Sequence, residues 1–266
     1  MNLFNRRQFG VVVMLGMAAI AGAGTAFAEP AKGVPEAIAK KGELVVGLEG
    51  TYPPFNYQDE SGKLVGFDVD FANALCERLG LKANFSPTKW DGILAALGSG
   101  RIDVVINQVT ITEERQKSYD FSTPYTISGI QIITRPELKD TLTSPDKLAG
   151  HAVGVGLGTN FEQYLKENVP GADIRTYDDE PTKYNDLKSG RVDAVLNDRV
   201  VAADYMKKTG GIFVPGGESF AKQEQGVALR KDPEFKAAID KAIADMQADG
   251  TMKSISEKWF GIDITK

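Results

Sequence analysis

Arg115 follows Thr110, Thr112, Glu113 and Glu114. A guanidinium flanked by hydroxyls can grip a carboxylate at two points at once. An arginine beside two glutamates also has the makings of a surface ion pair; its place just after an apolar strand-like run, 104–106, favours the carboxylate clamp. Asp198 stands past a second such run, Ala194-Val195-Leu196, and offers a carboxylate to an ammonium group. It is equally suited to cap a helix beginning near Val200, and the two roles are compatible. Tyr52 and Trp90 supply aromatic faces, either as walls for the apolar part of a ligand or as core. Gly158-Thr159-Asn160 precedes a helical stretch, with Thr159 or Asn160 as its cap, and presents backbone N–H groups to an anion or polar group. A fixed cation with hydroxyls on one side and a carboxylate on the other make a receptor for a zwitterion.

Reactive chemistry is poorly supplied. The single histidine, His151, precedes a strand-like run at a surface-type position, and the single cysteine, Cys76, lies in an apolar helical run as a core residue. Metal-ligand clusters and Cys/His nucleophile arrangements are therefore absent from the pattern, and no Gly-x-Ser-x-Gly elbow or phosphate loop occurs. Gly154-Val155-Gly156-Leu157-Gly158 alternates glycine with branched residues as a strand does, so no nucleotide cofactor is expected. Asp70 reads as a helix-opening cap, whereas Asp68 is a candidate for the cleft.

Two parts of the chain must position these groups, because one stretch is written twice. Ser99-Gly100-Arg101-Ile102-Asp103-Val104-Val105-Ile106-Asn107 returns as Ser189-Gly190-Arg191-Val192-Asp193-Ala194-Val195-Leu196-Asn197. Each copy reads as a helix stopped by glycine, a polar turn and a buried strand. Val46-Gly47-Leu48-Glu49-Gly50-Thr51 is echoed by Val155-Gly156-Leu157-Gly158-Thr159 in the same way. In open α/β sheets ligands bind beyond the carboxyl ends of the strands. The repeat thus predicts two α/β lobes with the repeat as scaffold, and function in the residues just past each copy. A β-rich run over 127–134 is long enough to cross between lobes, and 226–229 returns. The expected organisation is a first lobe over 29–129 plus 222–266, a second over 130–221, and a hinge where the chain crosses twice.

With 266 residues, 42% hydrophobic and 25% charged, the composition is that of a globular protein with room for two lobes. A formal charge of −5 with no Lys/Arg cluster argues against a nucleic-acid surface. Residues 1–28 read as a cleaved export signal: Arg6 and Arg7, an apolar run over 11–20, then Ala26-Phe27-Ala28. The apolar run is too short to span a bilayer, and Arg6-Arg7-Gln8-Phe9 resembles a twin-arginine signal as well as a plain positive region. Its removal leaves 29 basic against 36 acidic residues, for an acidic, soluble, extracytoplasmic protein.

Tyr52-Pro53-Pro54-Phe55, Gly66-Phe67-Asp68-Val69-Asp70, Trp90-Asp91-Gly92-Ile93, Thr110-Ile111-Thr112-Glu113-Glu114-Arg115 and Asp120-Phe121-Ser122-Thr123-Pro124-Tyr125 occur in this order along the chain. Together they resemble the solute-binding proteins of polar-amino-acid ABC importers. Pro87-Thr88-Lys89-Trp90-Asp91-Gly92, the run from Val104 to Ile111, and Arg175-Thr176-Tyr177-Asp178-Asp179 are most similar to members that take cystine. The resemblance implies a two-lobed type II periplasmic binding protein fold. Its lobes would each be a mostly parallel sheet flanked by helices, joined by a two-strand hinge. It implies a monomer in the periplasm that closes on cystine, or a related sulfur-containing or polar amino acid, and delivers it to an inner-membrane permease. By position, Arg115 with Thr110 would take the α-carboxylate, and Asp198 the α-ammonium with help from the Gln108 backbone. Tyr52 and Trp90 would sandwich the side chain, Gly158, Thr159 and Asn160 would close from the second lobe, and Glu49 and Asp68 would meet the ligand's polar end. Gln108 stands where several relatives carry serine or glycine, which would reshape the pocket floor and weakens assignment to histidine- or glutamine-binding members.

An exported enzyme on the same scaffold, such as a cyclohexadienyl dehydratase, would need a general acid in the cleft. Only Glu49, Asp68 and Asp198 are available, and each has a binding role. A receptor's sensor domain would call for a second hydrophobic span and a signalling domain, of which the sequence shows neither.

Overall fold

The computed structural model describes residues 29–266; the export segment expected over 1–28 lies outside the described residues. Helix α1 (Glu36–Lys41) ends at Gly42 in the left-handed conformation and feeds β1 (Glu43–Leu48), whose side chains are buried from Val46 onward. Strands β2 (Thr51–Tyr52), β3 (Asn56–Gln58) and β4 (Leu64–Val65) form a small antiparallel sheet. Its 59–63 turn is held by Asp59 Oδ1, which accepts from the backbone N–H groups of Ser61 and Lys63. Gly66 then turns the chain at φ 133°, where a Cβ would lie 2.1 Å from the Phe55 carbonyl oxygen, so no other residue fits.

Helix α2 (Phe67–Arg78) starts earlier than the capping pattern suggested. Asp70 lies inside its first turn and is not the cap; its carboxylate accepts from Lys258 Nζ at 2.6 Å and Trp259 Nε1 at 2.7 Å, tying α2 to the carboxyl-terminal helix. The chain continues through β5 (Lys82–Pro87), α3 (Trp90–Gly98), β6 (Val104–Val105), α4 (Glu113–Ser118) and β7 (Tyr119–Phe121). It then crosses along β8 (Thr126–Thr134) to build β9 (Ala152–Gly156), α5 (Asn160–Asn168), β10 (Asp173–Tyr177), α6 (Glu180–Ser189), β11 (Ala194–Asp198), α7 (Arg199–Thr209) and β12 (Val214–Pro215). Strand β13 (Phe220–Gln225) runs back along β8, and β14 (Ala228–Arg230), α8 (Pro233–Ala248) and α9 (Thr251–Phe260) return to the first half.

The two main sheets have the orders β5-β1-β6-β14-β7 and β10-β9-β11-β8-β12, with β13 also on β8. Each is parallel only where strands are linked through helices, as β5-β1-β6 and β10-β9-β11 are. The other half is antiparallel, because β14 and β8 arrive directly from the other lobe rather than over a helix. The sheets are therefore mixed rather than mostly parallel. Alternate residues of the central strands feed the cores on opposite faces. Val104 packs with Phe71, Leu75 and Ile239 while Val105 packs with Ile93 and Leu97; Leu196 and Val195 divide in the same way in the second lobe. Cys76 belongs to this packing, and burial pushes its thiol up to about 12.

Both copies of the repeat fold alike. Gly100 and Gly190 follow α3 and α6, each with φ 77°. Asp103 and Val45 exchange bonds of 2.9 and 3.0 Å, and Asp193 and Ala152 exchange bonds of 2.7 and 3.2 Å, so one aspartate stitches the central strands of each sheet. Arg230 donates to the carbonyls of Leu97 and Ile102, and Arg135 donates to those of Leu187 and Val192, the matching residues of the second copy. His151 is half-buried and has a specific partner, its Nδ1 lying 3.0 Å from Asp193 Oδ2, where the sequence suggested a simple surface position.

Candidate functional site

Beyond the carboxyl ends of β1, β6, β9 and β11 the two sheets face each other across one cleft. The first lobe contributes Glu49, Tyr52, Trp90, Asn107, Gln108 and Thr110, and the second Thr159, Asn160, Glu180, Lys183, Asn197 and Asp198. Gln223 and Gln225 of β13 line it at the crossing.

The asparagine that ends each repeat copy does more than extend a strand. Asn107 Oδ1 accepts from the Glu49 backbone N–H and from Asn56 Nδ2, both at 2.9 Å, and Asn107 Nδ2 donates to Glu49 Oε2 at 2.9 Å. Asn197 Nδ2 donates to Glu180 Oε2 at 2.7 Å and to the Tyr184 hydroxyl at 3.2 Å. Each asparagine thus aims a glutamate at the cleft from its own lobe. Asn197 Oδ1 accepts from the Tyr52 hydroxyl at 3.0 Å, a direct bond across the cleft. The expectation that the repeat is scaffold alone is corrected here: its last residue belongs to the site.

Glu49 is largely desolvated and near Glu180 and Asp91, and burial is the main reason its carboxyl is pushed up to about 7. Lys183 is 1% exposed, pairs with Glu180 Oε1 at 2.6 Å and lies 5.5 Å from the Tyr184 ring centroid. Asp198 is the cap of α7 and also lines the cleft. Its Oδ1 accepts from Val200 N–H at 2.7 Å, and burial raises its carboxyl.

Three expected contacts are placed differently. Asp68 does not reach the cleft: because α2 begins at Phe67, its side chain points into the lobe with no exposed surface. There it accepts from Asn56 Nδ2 at 2.8 Å, Gln108 Nε2 at 2.7 Å and the Tyr125 hydroxyl at 3.3 Å, and burial pushes it up to about 6. Arg115 does not line the cleft either. It donates to the Thr110 carbonyl at 2.9 Å and its guanidinium lies 5.2 Å from the Trp90 ring centroid, so it packs against two residues that do. Burial lowers its pKa to about 10, well above neutrality, so it stays cationic. The Gly158 N–H is not free, because it donates to Glu162 Oε2 at 2.7 Å; Thr159 is the helix cap, and Thr159 and Asn160 line the cleft.

Gln108 is a non-glycine residue at φ 53°. Its backbone N–H donates to the Tyr125 hydroxyl at 3.0 Å, its amide to Asp68, and its carbonyl oxygen accepts from Thr126 Oγ1 at 2.8 Å. The side chain is bound beneath the floor, which fixes a backbone conformation costing roughly 1–3 kcal/mol elsewhere. Thr110 Oγ1 and Asn160 Nδ2 meet at Gln223 Oε1, at 3.0 and 2.6 Å.

The residues missed in the sequence are Asn107, Asn197, Glu180, Lys183 and Gln223. The asparagines carried a signal, being identical in both copies. Glu180 and Lys183 are spaced for one helix face, but nothing in that spacing says which way the face points.

The family described as bacterial extracellular solute-binding proteins, family 3, matches residues 44–262. The chain is 57% identical over 236 residues to the L-cystine-binding protein TcyJ of Escherichia coli (strain K12), covering 88% of this chain and 89% of that protein. It is 38% identical over 232 residues to the L-cystine-binding protein TcyA of Bacillus subtilis (strain 168), covering 86% and 85%. Among solved structures, an ancestral arginine-binding protein bound to arginine superposes with a TM-score of 0.79 at 45% identity, covering 83% of this chain and 99% of that one.

Proposed function

The chain belongs to the bacterial extracellular solute-binding proteins of family 3, and from that membership we propose that it is the amino-acid-binding component of an ABC importer with L-cystine as its ligand. The observation that carries this reading is a single cleft lined by Thr110 and by aromatic Tyr52 and Trp90 from one part of the chain and by Asp198 from the other. The 57% identity to a protein named for cystine supports the choice of ligand. Arg115 with Thr110 takes the α-carboxylate, Arg115 turning from the Thr110 carbonyl by side-chain rotation. Asp198 takes the α-ammonium together with the strained Gln108 backbone, and Asp68 acts by holding Gln108. Thr159 and Asn160, on the loop that Gly158 begins, close from the second lobe.

The lobes comprise 29–129 with 222–266, and 130–221. Both boundaries fall inside the paired strands β8 and β13, which form the hinge. The protein works as a periplasmic monomer, performs no chemical step and hands its ligand to a membrane permease. Ligand that touches both lobes shifts the population toward the closed form. Micromolar affinity corresponds to about −8 kcal/mol.

The test is a thermal-shift panel of the protein beginning at Glu29 against single amino acids. Cystine is expected to raise Tm and to be recovered unchanged from the complex. If another amino acid shifts Tm and cystine does not, the ligand is wrong; if none does, the reading falls. Arg115→Ala should abolish the shift while leaving circular dichroism unchanged, and retained binding would remove the clamp role.

A further inference from the structure

Resting on the amino-acid-binding reading above, we infer that Glu49, Glu180 and Lys183 form a receptor for a second α-amino-acid head group, so that the ligand class is amino acids with a zwitterion at each end.

The three residues lie on the cleft but take no part in the carboxylate and ammonium contacts assigned to Arg115, Thr110 and Asp198. Lys183 is among the most fully buried large side chains of the protein. A lysine is almost never fully buried without a paired group, and Glu180 is that group. Yet pairing with Glu180 uses only one of its three donors, since its one protein hydrogen bond among the described residues goes to Glu180 Oε1. Glu180 has both oxygens engaged, Lys183 on one and Asn197 on the other. Glu49 is half-used: Oε2 accepts from Asn107, and Oε1 has no protein hydrogen bond among the described residues. The subsite therefore offers donors on a cation from one lobe and an acceptor on an acid from the other.

Its charge pattern selects by exclusion. A ligand ending in a cation alone meets the buried Lys183 ammonium, and one ending in an anion alone meets Glu49, Glu180 and nearby Asp91. An apolar end leaves buried donors and acceptors unpaired, which is the strongest ground for rejecting an analogue. A group with an ammonium and a carboxylate on one carbon satisfies both sides, the carboxylate toward Lys183 and the ammonium toward Glu49.

Titration calorimetry at pH 7.5 on the protein beginning at Glu29 would compare L-cystine and L-cystathionine with S-methyl-L-cysteine and L-arginine. The two-headed ligands should bind about 100-fold more tightly than S-methyl-L-cysteine, which keeps the first head and the sulfur. Lys183→Met should cut that ratio to about tenfold or less. Should Lys183→Met fail to fold, Glu49→Gln, which removes the charge and keeps the shape, should narrow the same ratio. Arginine binding as tightly as cystine, or an unchanged ratio in the folded variants, overturns the inference while leaving an amino-acid-binding protein. A chain that binds none of the four overturns the reading it rests on.

Discussion

Glu49 is the residue at which folding and binding pull in opposite directions. Its carboxyl titrates near 7 in the folded protein because the cleft desolvates it. A carboxyl raised in this way takes up a proton on folding, so its contribution to stability is complete below the ordinary carboxylate range and is lost as pH rises through about 7. Asp68, raised to about 6, acts in the same direction. Glu49→Gln should therefore stabilise the ligand-free protein at pH 8 by about 1 kcal/mol, roughly 3 °C in Tm, and should not stabilise it at pH 5. A Tm–pH profile of both proteins checks this, since the difference must shrink toward acid. Residue identity was enough to nominate Tyr52 and Trp90 for the cleft, and the family resemblance added Glu49. It misplaced Asp68 because a helix cap four residues earlier, at Gly66 rather than Asp70, changes which side chains face inward, and short sequence patterns fix such boundaries poorly.

At the scale of elements, the arginines that hold the two repeat copies come from different places in the chain. Arg230 ends β14 and Arg135 follows β8, yet both donate to the carbonyls before and after the repeat's turn. The repeat was legible as helix, glycine and strand, because Gly100 and Gly190 need the left-handed conformation and the following residues are apolar. The arginine partners were not, since nothing in local pattern relates Arg135 to Leu187. Arg135→Met should leave two carbonyls without their donor and lower stability by about 1–3 kcal/mol, read as a lower urea midpoint. The mixed character of the sheets escaped the sequence for a similar reason: strand direction depends on the route by which a strand arrives, and an apolar run does not encode it.

For the whole molecule, the lobes touch directly where the Tyr52 hydroxyl donates to Asn197. Tyr52→Phe keeps the aromatic wall and removes this bond, so affinity should fall by about fivefold, mainly through faster release. Stopped-flow displacement of cystine measures the rate, and an unchanged rate would mean that this contact does not hold the lobes together. That the molecule has two lobes could be read from the repeat, whereas the contact between them could not, because Tyr52 and Asn197 are 145 positions apart.

The strand order β5-β1-β6-β14-β7 bears on how the chain comes together in time. A polypeptide emerges amino end first, and residues 130–221 can pair among themselves as soon as they are out. The first sheet cannot: the slot between β6 and β7 stays empty until 228–230 arrive. The apolar face over Leu44, Phe71 and Leu75 likewise stays wet until Ile239, Ile243 and Met246 cover it. The half that is synthesised first is thus the half whose sheet is completed last.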